Sequence, residues 1–117
     1  MSLEETNGYK NGSQFAEEVV GTLENAGIDV MQPIALSFFL YLPNKDIAET
    51  VATLLRDESY DVDVDKSADD NSAQWLCWCN KTLTPSKETL KETGTLFLNL
   101  EKEHNGDFDG WETNPYV

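Results

Sequence analysis

An alternating run between two prolines constrains the fold of this chain more than any other feature. Pro33 and Pro43 bracket the run, in which Ile, Leu, Phe, Leu and Leu occupy every second position from 34 to 42. Because successive side chains of a β-strand point to opposite faces, this spacing predicts a strand over 34–42. One face of that strand is wholly apolar and needs to be buried.

Three more strands are indicated further along the chain. Apolar residues alternate with aspartate over 60–65, which is typical of a strand with one buried and one solvated face. Residues 74–80, QWLCWCN, are apolar enough for a central strand. A short last strand is predicted over 107–112.

Two segments flanking the first strand have apolar residues at helical spacing. The earlier one predicts a helix over 13–26, with Gly27 as its C-terminal stop. In the later one Asn44 is the predicted N-cap, and the helix is expected to end near Glu58. The predicted inner stripe of this later helix consists of Ile47, Val51, Leu54 and Leu55.

A third helix is expected after the central strand. Thr84 is the predicted N-cap and Pro85 the first helical residue, and the helix continues to about His104 before an Asn-Gly pair ends it. Gly94 marks a place where another element packs closely. The predicted inner stripe consists of Leu90, Phe97 and Leu100.

The order of these elements predicts an α+β fold of the ferredoxin-like, split βαβ type (βαββαβ), with an additional N-terminal helix. Two helices then cover one face of an antiparallel sheet, and the first and third strands lie in its centre. Residues 1–12 are polar and are predicted to form a flexible arm. Residues 13–117 are predicted to form a single domain, with the N-terminal helix at 13–27 and the core at 33–112.

Charge limits the partners of the chain. Its 22 Asp and Glu against eight Lys and Arg give a net charge of -14, which disfavours direct binding to nucleic acid or to an anionic membrane and favours a basic protein surface. No segment has the apolar length of a transmembrane helix or the pattern of a leader. Cys77 and Cys79 are poorly placed to bridge each other, so a cytoplasmic location is expected.

The sheet face without helices, which we call the open face, is the predicted interaction surface. Strand alternation places Phe39 and Tyr41 on it, together with Leu76 and Trp78, and Trp111 is predicted to join them. The remaining residues predicted to face outward are Asp61, Asp63, Asp65, Asp107 and Asp109. Aromatic residues on such a face are also how RNA-recognition motifs stack bases, but aspartates stand where that function needs Lys and Arg. A homodimer interface, or a second small core under the N-terminal helix, remains an alternative.

Catalytic and metal sites are not indicated. Cys77, Cys79 and His104 supply fewer ligands than zinc usually takes, and the acidic run 57–65 lacks the glycine and glutamate spacing of a calcium-binding EF-hand loop. No serine or cysteine stands beside a histidine, and no glycine-rich phosphate loop is present. We therefore expect no cofactor, no metal and no enzymatic activity.

Four segments resemble the family called regulator of ribonuclease E activity B, RraB. They are FFLYLPNKDIAE at 38–49, SYDVDVDKSADD at 59–70, NKTLTP at 80–85 and DFDGWE at 107–112, of which the last is the most specific. The resemblance covers about two thirds of the chain, from about Pro33 to Trp111. The leading helix also stands where members of the family carry one.

The resemblance implies a bacterial, non-catalytic protein that binds ribonuclease E, the endoribonuclease that organises RNA decay, and inhibits its action on transcripts. The implied contact is the arginine-rich scaffold region of that nuclease, which an acidic surface complements in charge. On this chain, the charges predicted to steer the partner are Asp61, Asp63, Asp65, Asp69 and Asp70. Trp78 and Trp111 are the predicted anchors.

Overall fold

The computed structural model describes residues 9–67 and 74–113, which form three helices and four strands. In chain order they are α1 (Gly12–Asn25), β1 (Ile34–Leu42), α2 (Lys45–Asp57), β2 (Asp61–Lys66), β3 (Trp75–Leu83), α3 (Lys87–Glu103) and β4 (Asp107–Thr113). The strands form one antiparallel sheet in the order β2-β3-β1-β4. The predicted ferredoxin-like fold with an additional N-terminal helix is confirmed, and the first and third strands lie in the centre.

The core lies between the sheet and the helices, and its centre is aromatic. Phe38 on β1 stacks on Phe97 of α3, with ring centroids 5.0 Å apart. Phe97 in turn stacks on Phe108 of β4 at 5.0 Å, and Phe15 of α1 lies 5.7 Å from Phe108. All four rings are fully buried, so the alternation that predicted β1 also identified the side chain at the middle of the core.

Helix ends largely follow the sequence signals. The Asn44 side chain accepts a hydrogen bond from the Ile47 amide at 2.9 Å, which confirms the predicted cap of α2. Gly27 has a positive φ of 78°, and the amide after it donates to the Leu23 carbonyl, so α1 ends in a Schellman motif.

The predicted start of α3 is wrong by two residues. β3 continues to Leu83, which pairs with Ile34 at the far end of β1, so Thr84 and Pro85 form the connection instead of the first turn. Ser86 is the N-cap, and its hydroxyl accepts a hydrogen bond from the Thr89 amide at 3.3 Å. Strand pairing, which acts across the sheet, decided where the helix begins.

The inner face of α2 also differs from the prediction at one position. Leu54 is 44% exposed, whereas alanines that the predicted stripe omitted are fully buried. The buried residues stand at i, i+3, i+4 and i+7, the regular period of a helix face, and Leu54 falls beside it. They are Ala48, Val51, Ala52 and Leu55.

The N-terminal helix lies on the same side of the sheet as the other two. α1 packs along α3, and the Phe15 ring reaches both Phe38 and Phe108. Tyr9, inside the segment predicted as an arm, is buried against Phe15 with ring centroids 5.0 Å apart. Residues 9–12 are therefore part of the packed domain, and the alternative of a second core between α1 and the open face is wrong.

Replacing Gly94 by alanine should separate α1 from α3. An added Cβ would lie 2.7 Å from Cδ2 and 2.9 Å from Cβ of Phe15, so the helices would have to move apart. We expect the free energy of unfolding to fall by about 1–3 kcal/mol, the usual cost of overpacking a core. Urea denaturation measures it.

Gly21 provides the matched control, since it also lies inside a helix but has no neighbouring atom within 4 Å of an added Cβ. The Gly21→Ala variant should be more stable by about 0.5–1 kcal/mol, because alanine is the better helix former. Equal effects of the two substitutions would contradict the close contact at Gly94.

Candidate functional site

The open face of the sheet carries a stripe of apolar and aromatic side chains along its two central strands. Register pairs Phe39 with Trp78 and Tyr41 with Leu76, and directly paired residues share a face. We call these four residues the aromatic stripe. At one end of the stripe, the Ser37 hydroxyl donates a hydrogen bond to the Asn80 side chain at 2.5 Å. This bond links β1 and β3 next to the Phe39 and Trp78 pair.

Carboxylates border the aromatic stripe on both sides. On the β2 side, Asp63 pairs with Trp78 and Asp65 with Leu76, while on the β4 side Asp107 pairs with Tyr41. The apolar centre of the face is thus two strands wide, and each neighbouring edge strand is acidic. We call these carboxylates the acidic borders, which consist of Asp61, Asp63 and Asp65 on β2 and Asp107, Asp109 and Glu112 on β4.

Trp78 is the most exposed member of the aromatic stripe. Its side chain is 44% exposed, and its ring stacks on Phe39 with centroids 6.3 Å apart and an angle of 25° between the planes. The neighbouring Cys77 and Cys79 are fully buried, so the predicted alternation of this strand is confirmed. An indole supported from one side by another ring presents a fixed flat surface, to which an arginine or an apolar side chain can bind.

The basic side chains near the sheet lie on its other side, toward the helices. Arg56 donates a hydrogen bond to the Val62 carbonyl at 2.7 Å, and Lys81 donates one to the Glu58 carbonyl at 2.9 Å while lying 4.6 Å from the centre of the Tyr60 ring. Among the strand positions that the structure describes, none on the open face is a Lys or an Arg. The sheet itself thus supplies no cation to the acidic borders.

The β4 border shows the effect of this crowding on its titratable groups. Partial burial and the adjacent Asp107 carboxylate raise the pKa of Asp109. Burial and then the charges of Asp109 and Asp107 raise the pKa of Tyr41. Negative charge is therefore concentrated beside the aromatic stripe, where a cationic partner group would relieve it.

Trp111 does not lie on the open face, so its predicted place there is wrong. A β-bulge interrupts the pairing of β4 with β1: Leu40 pairs with Phe108, but Phe39 pairs with Gly110, which leaves Asp109 as the extra residue. Gly110 has a φ of 108°, a conformation that favours glycine. Beyond the bulge the alternation is reversed, and Trp111 pairs with buried Phe38 and packs against the core.

Two of the predicted steering charges, Asp69 and Asp70, lie outside the residues that the structure describes.

One acidic residue of the open face, Glu112, was not predicted from the sequence. It pairs with Ser37 of β1. Its place on the open face follows from the bulge, and the only signal for that is the Asp-Gly pair at 109–110, since glycine inside a strand often marks one.

The two thiols lie inside the core. Burial raises the pKa of Cys77 to about 11 and raises that of Cys79 further. Cys77 donates a weak hydrogen bond to the Ala48 carbonyl at 3.4 Å. Within residues 9–67 and 74–113, no three His, Cys, Asp or Glu side chains are grouped as metal ligands, and no helix there is long and apolar enough to span a bilayer.

The fold and this face define a small ferredoxin-like domain with an aromatic stripe between acidic borders. Comparison with protein-family models matches residues 13–113 to the family described as Regulator of ribonuclease activity B (RraB). The match covers most of the chain and all four segments on which the resemblance was based, so the chain belongs to this family. No curated protein matches it significantly. Membership implies a regulator of ribonuclease activity.

Replacing Asp109 by asparagine should stabilise the protein near neutral pH. A raised pKa means that the folded state holds this proton more tightly than the unfolded chain, so ionisation at higher pH lowers the stability of the fold. The gain should be complete near pH 7, shrink as the pH falls through the raised pKa, and vanish below the ordinary value of 3.8. Urea denaturation at several pH values measures it.

Glu24 on α1 is exposed and lies in the helix layer, so the Glu24→Gln variant controls for the loss of one negative charge. Its gain should be smaller. An Asp109→Asn gain that persists unchanged to low pH would show that charge at this position is not the cause.

Proposed function

We propose that this protein binds ribonuclease E through the open face of its sheet and inhibits the cleavage of transcripts, thereby modulating mRNA decay in the bacterial cytoplasm. The protein acts as a binding partner and catalyses no reaction. Membership of the RraB family supports a role in regulating ribonuclease activity. The single structural observation that carries the proposal is the aromatic stripe between two acidic borders.

Charge complementarity supports an arginine-rich segment of the nuclease scaffold as the partner. Opposite charges accelerate encounter and orient the two molecules, and the aromatic stripe then provides apolar area for short-range contact. Trp78, exposed and backed by Phe39, is the anchor that this face offers. Asp61, Asp63 and Asp65 are the steering charges of the β2 border, and Phe39 and Tyr41 complete the apolar contact.

Direct RNA binding and self-association are the competing uses of an aromatic sheet face. RNA phosphates would meet carboxylates on both sides of the stripe, which repels them. In a symmetric dimer the same patch meets itself, so the acidic borders of the two copies would be brought near each other. Both considerations favour a basic polypeptide over either alternative.

The triple variant with Asp61, Asp63 and Asp65 each replaced by Asn tests the proposal. Three exposed ion pairs of about 0.5 kcal/mol each correspond to a loss of affinity of about tenfold. Capture of the purified scaffold region by this protein should weaken by that factor and should be salt-sensitive in the parent protein. Inhibition of transcript cleavage by the nuclease should weaken in parallel.

A matched control removes three carboxylates from the helix layer, by changing Glu17, Glu24 and Glu103 to Gln, and alters the net charge by the same amount. This variant should bind and inhibit nearly as the parent does. Equal losses in both triple variants would show that overall charge acts, without a defined face. A parent protein that captures no scaffold region and forms a salt-resistant homodimer would overturn the proposal.

A further inference from the structure

We infer that the open face receives an amphipathic α-helix whose apolar stripe is flanked on both sides by arginine. The inference rests on the proposed function and specifies the form and side chains of the bound segment. It follows from the symmetry of the face, because the acidic borders stand on both sides of the aromatic stripe and not on one side only.

The width of the face fits one helix. β2 and β4 are separated by three strand spacings, which places the acidic borders about 14 Å apart. An α-helix with its side chains is about 10–12 Å across. A helix lying over the aromatic stripe would therefore fill the space between the borders, and arginines on its two flanks would reach the carboxylates on either side.

The length of the face suits a helix of moderate size. β1 has nine residues and is therefore about 30 Å long. At a rise of about 1.5 Å per residue, a helix of about 20 residues covers that distance. The β2 border extends from Asp61 to Asp65, about 13 Å, so about nine residues of such a helix, two to three turns, would lie between the borders. Apolar residues at i, i+3, i+4 and i+7 within those turns would meet Trp78, Phe39, Tyr41 and Leu76.

An extended segment fits this face less well. A strand that lies flat on the face points its side chains alternately toward and away from it, so those that touch the face form a single line. A strand turned on its edge points side chains to both borders but none toward the aromatic stripe. A helix projects side chains to the left and to the right within each turn. Two parallel rows of carboxylates with an apolar centre are thus the complement of a helix.

Arginine fits the borders better than lysine. Its planar guanidinium can stack on the exposed Trp78 ring and form paired hydrogen bonds with a carboxylate such as Asp63, the strand neighbour of Trp78. The lysine ammonium acts as a point charge without a flat surface. The open face should therefore bind an arginine-containing segment more tightly than the same segment with lysine, although both side chains neutralise the carboxylates.

Synthetic peptides of about 20 residues test the inference with the 117-residue chain. The helix probe has a leucine and alanine stripe flanked on both sides by arginine. The proline probe is the same peptide with two central residues replaced by proline, which prevents a continuous helix. The reordered probe has the same composition without helical spacing, and the lysine probe replaces every arginine by lysine. Isothermal titration calorimetry gives the dissociation constants.

The helix probe should bind at least about tenfold more tightly than the proline and reordered probes, and about threefold more tightly than the lysine probe. The Trp78→Ala variant should weaken binding of the helix probe by about tenfold. Leu54→Ala is the matched control, because Leu54 has the same 44% exposure but lies on α2, on the other side of the sheet. It should leave binding unchanged.

Equal affinity for the helix, proline and reordered probes would overturn the inference, as would equal losses in the Trp78→Ala and Leu54→Ala variants. Self-association that Trp78→Ala abolishes, without binding of the helix probe, would make the face a dimer interface. The proposed function is tested independently of the helix probe. It is wrong if the protein does not inhibit the nuclease, even when the helix probe binds. If inhibition depends on the β2 border but the proline probe binds equally well, only the helical form is wrong.

Discussion

The pairing of β1 with a neighbour on each side is the constraint on which the rest of this structure depends. β1 hydrogen-bonds to β3 along its whole length and to β4 on its other edge. Its inner face holds Phe38 against the rings of Phe97 and Phe15, so the same nine residues hold both α3 and α1 against the sheet. Its outer face supplies Phe39 and Tyr41 to the aromatic stripe. Core and candidate site are thus opposite sides of one strand.

The acidity of the chain has a definite place in this arrangement. The central strands keep carboxylates off the middle of the open face, and the edge strands present them in two rows. Aspartate on an edge strand also discourages edge-to-edge pairing between copies, which is a common protection for exposed sheet edges. Under the proposed function the borders serve two purposes without conflict, because the charge that opposes self-association would also attract a basic segment.

Membership of the RraB family and the geometry of the face support the same kind of activity from independent directions. The family assigns a regulatory role toward ribonuclease activity. The face offers contact area and charge, the means by which one macromolecule restrains another. The thiols, which in an exposed position would suggest redox or metal chemistry, are enclosed in the core, and burial raises their pKa values above that of an ordinary thiol.

From the residues alone we could predict the order of the elements, the inner and outer faces of β1, β2 and β3, and the caps at Asn44 and Gly27, because these depend on side-chain period and local backbone preference. Three other points depended on contacts between elements distant in the chain. The pairing of Leu83 with Ile34 moved the start of α3, and close packing with α3 placed α1 away from the open face. The bulge at Asp109 reversed the alternation of β4, turned Trp111 inward and brought Glu112 out. Alternation assumes an unbroken ladder, and one unpaired residue reverses every face beyond it.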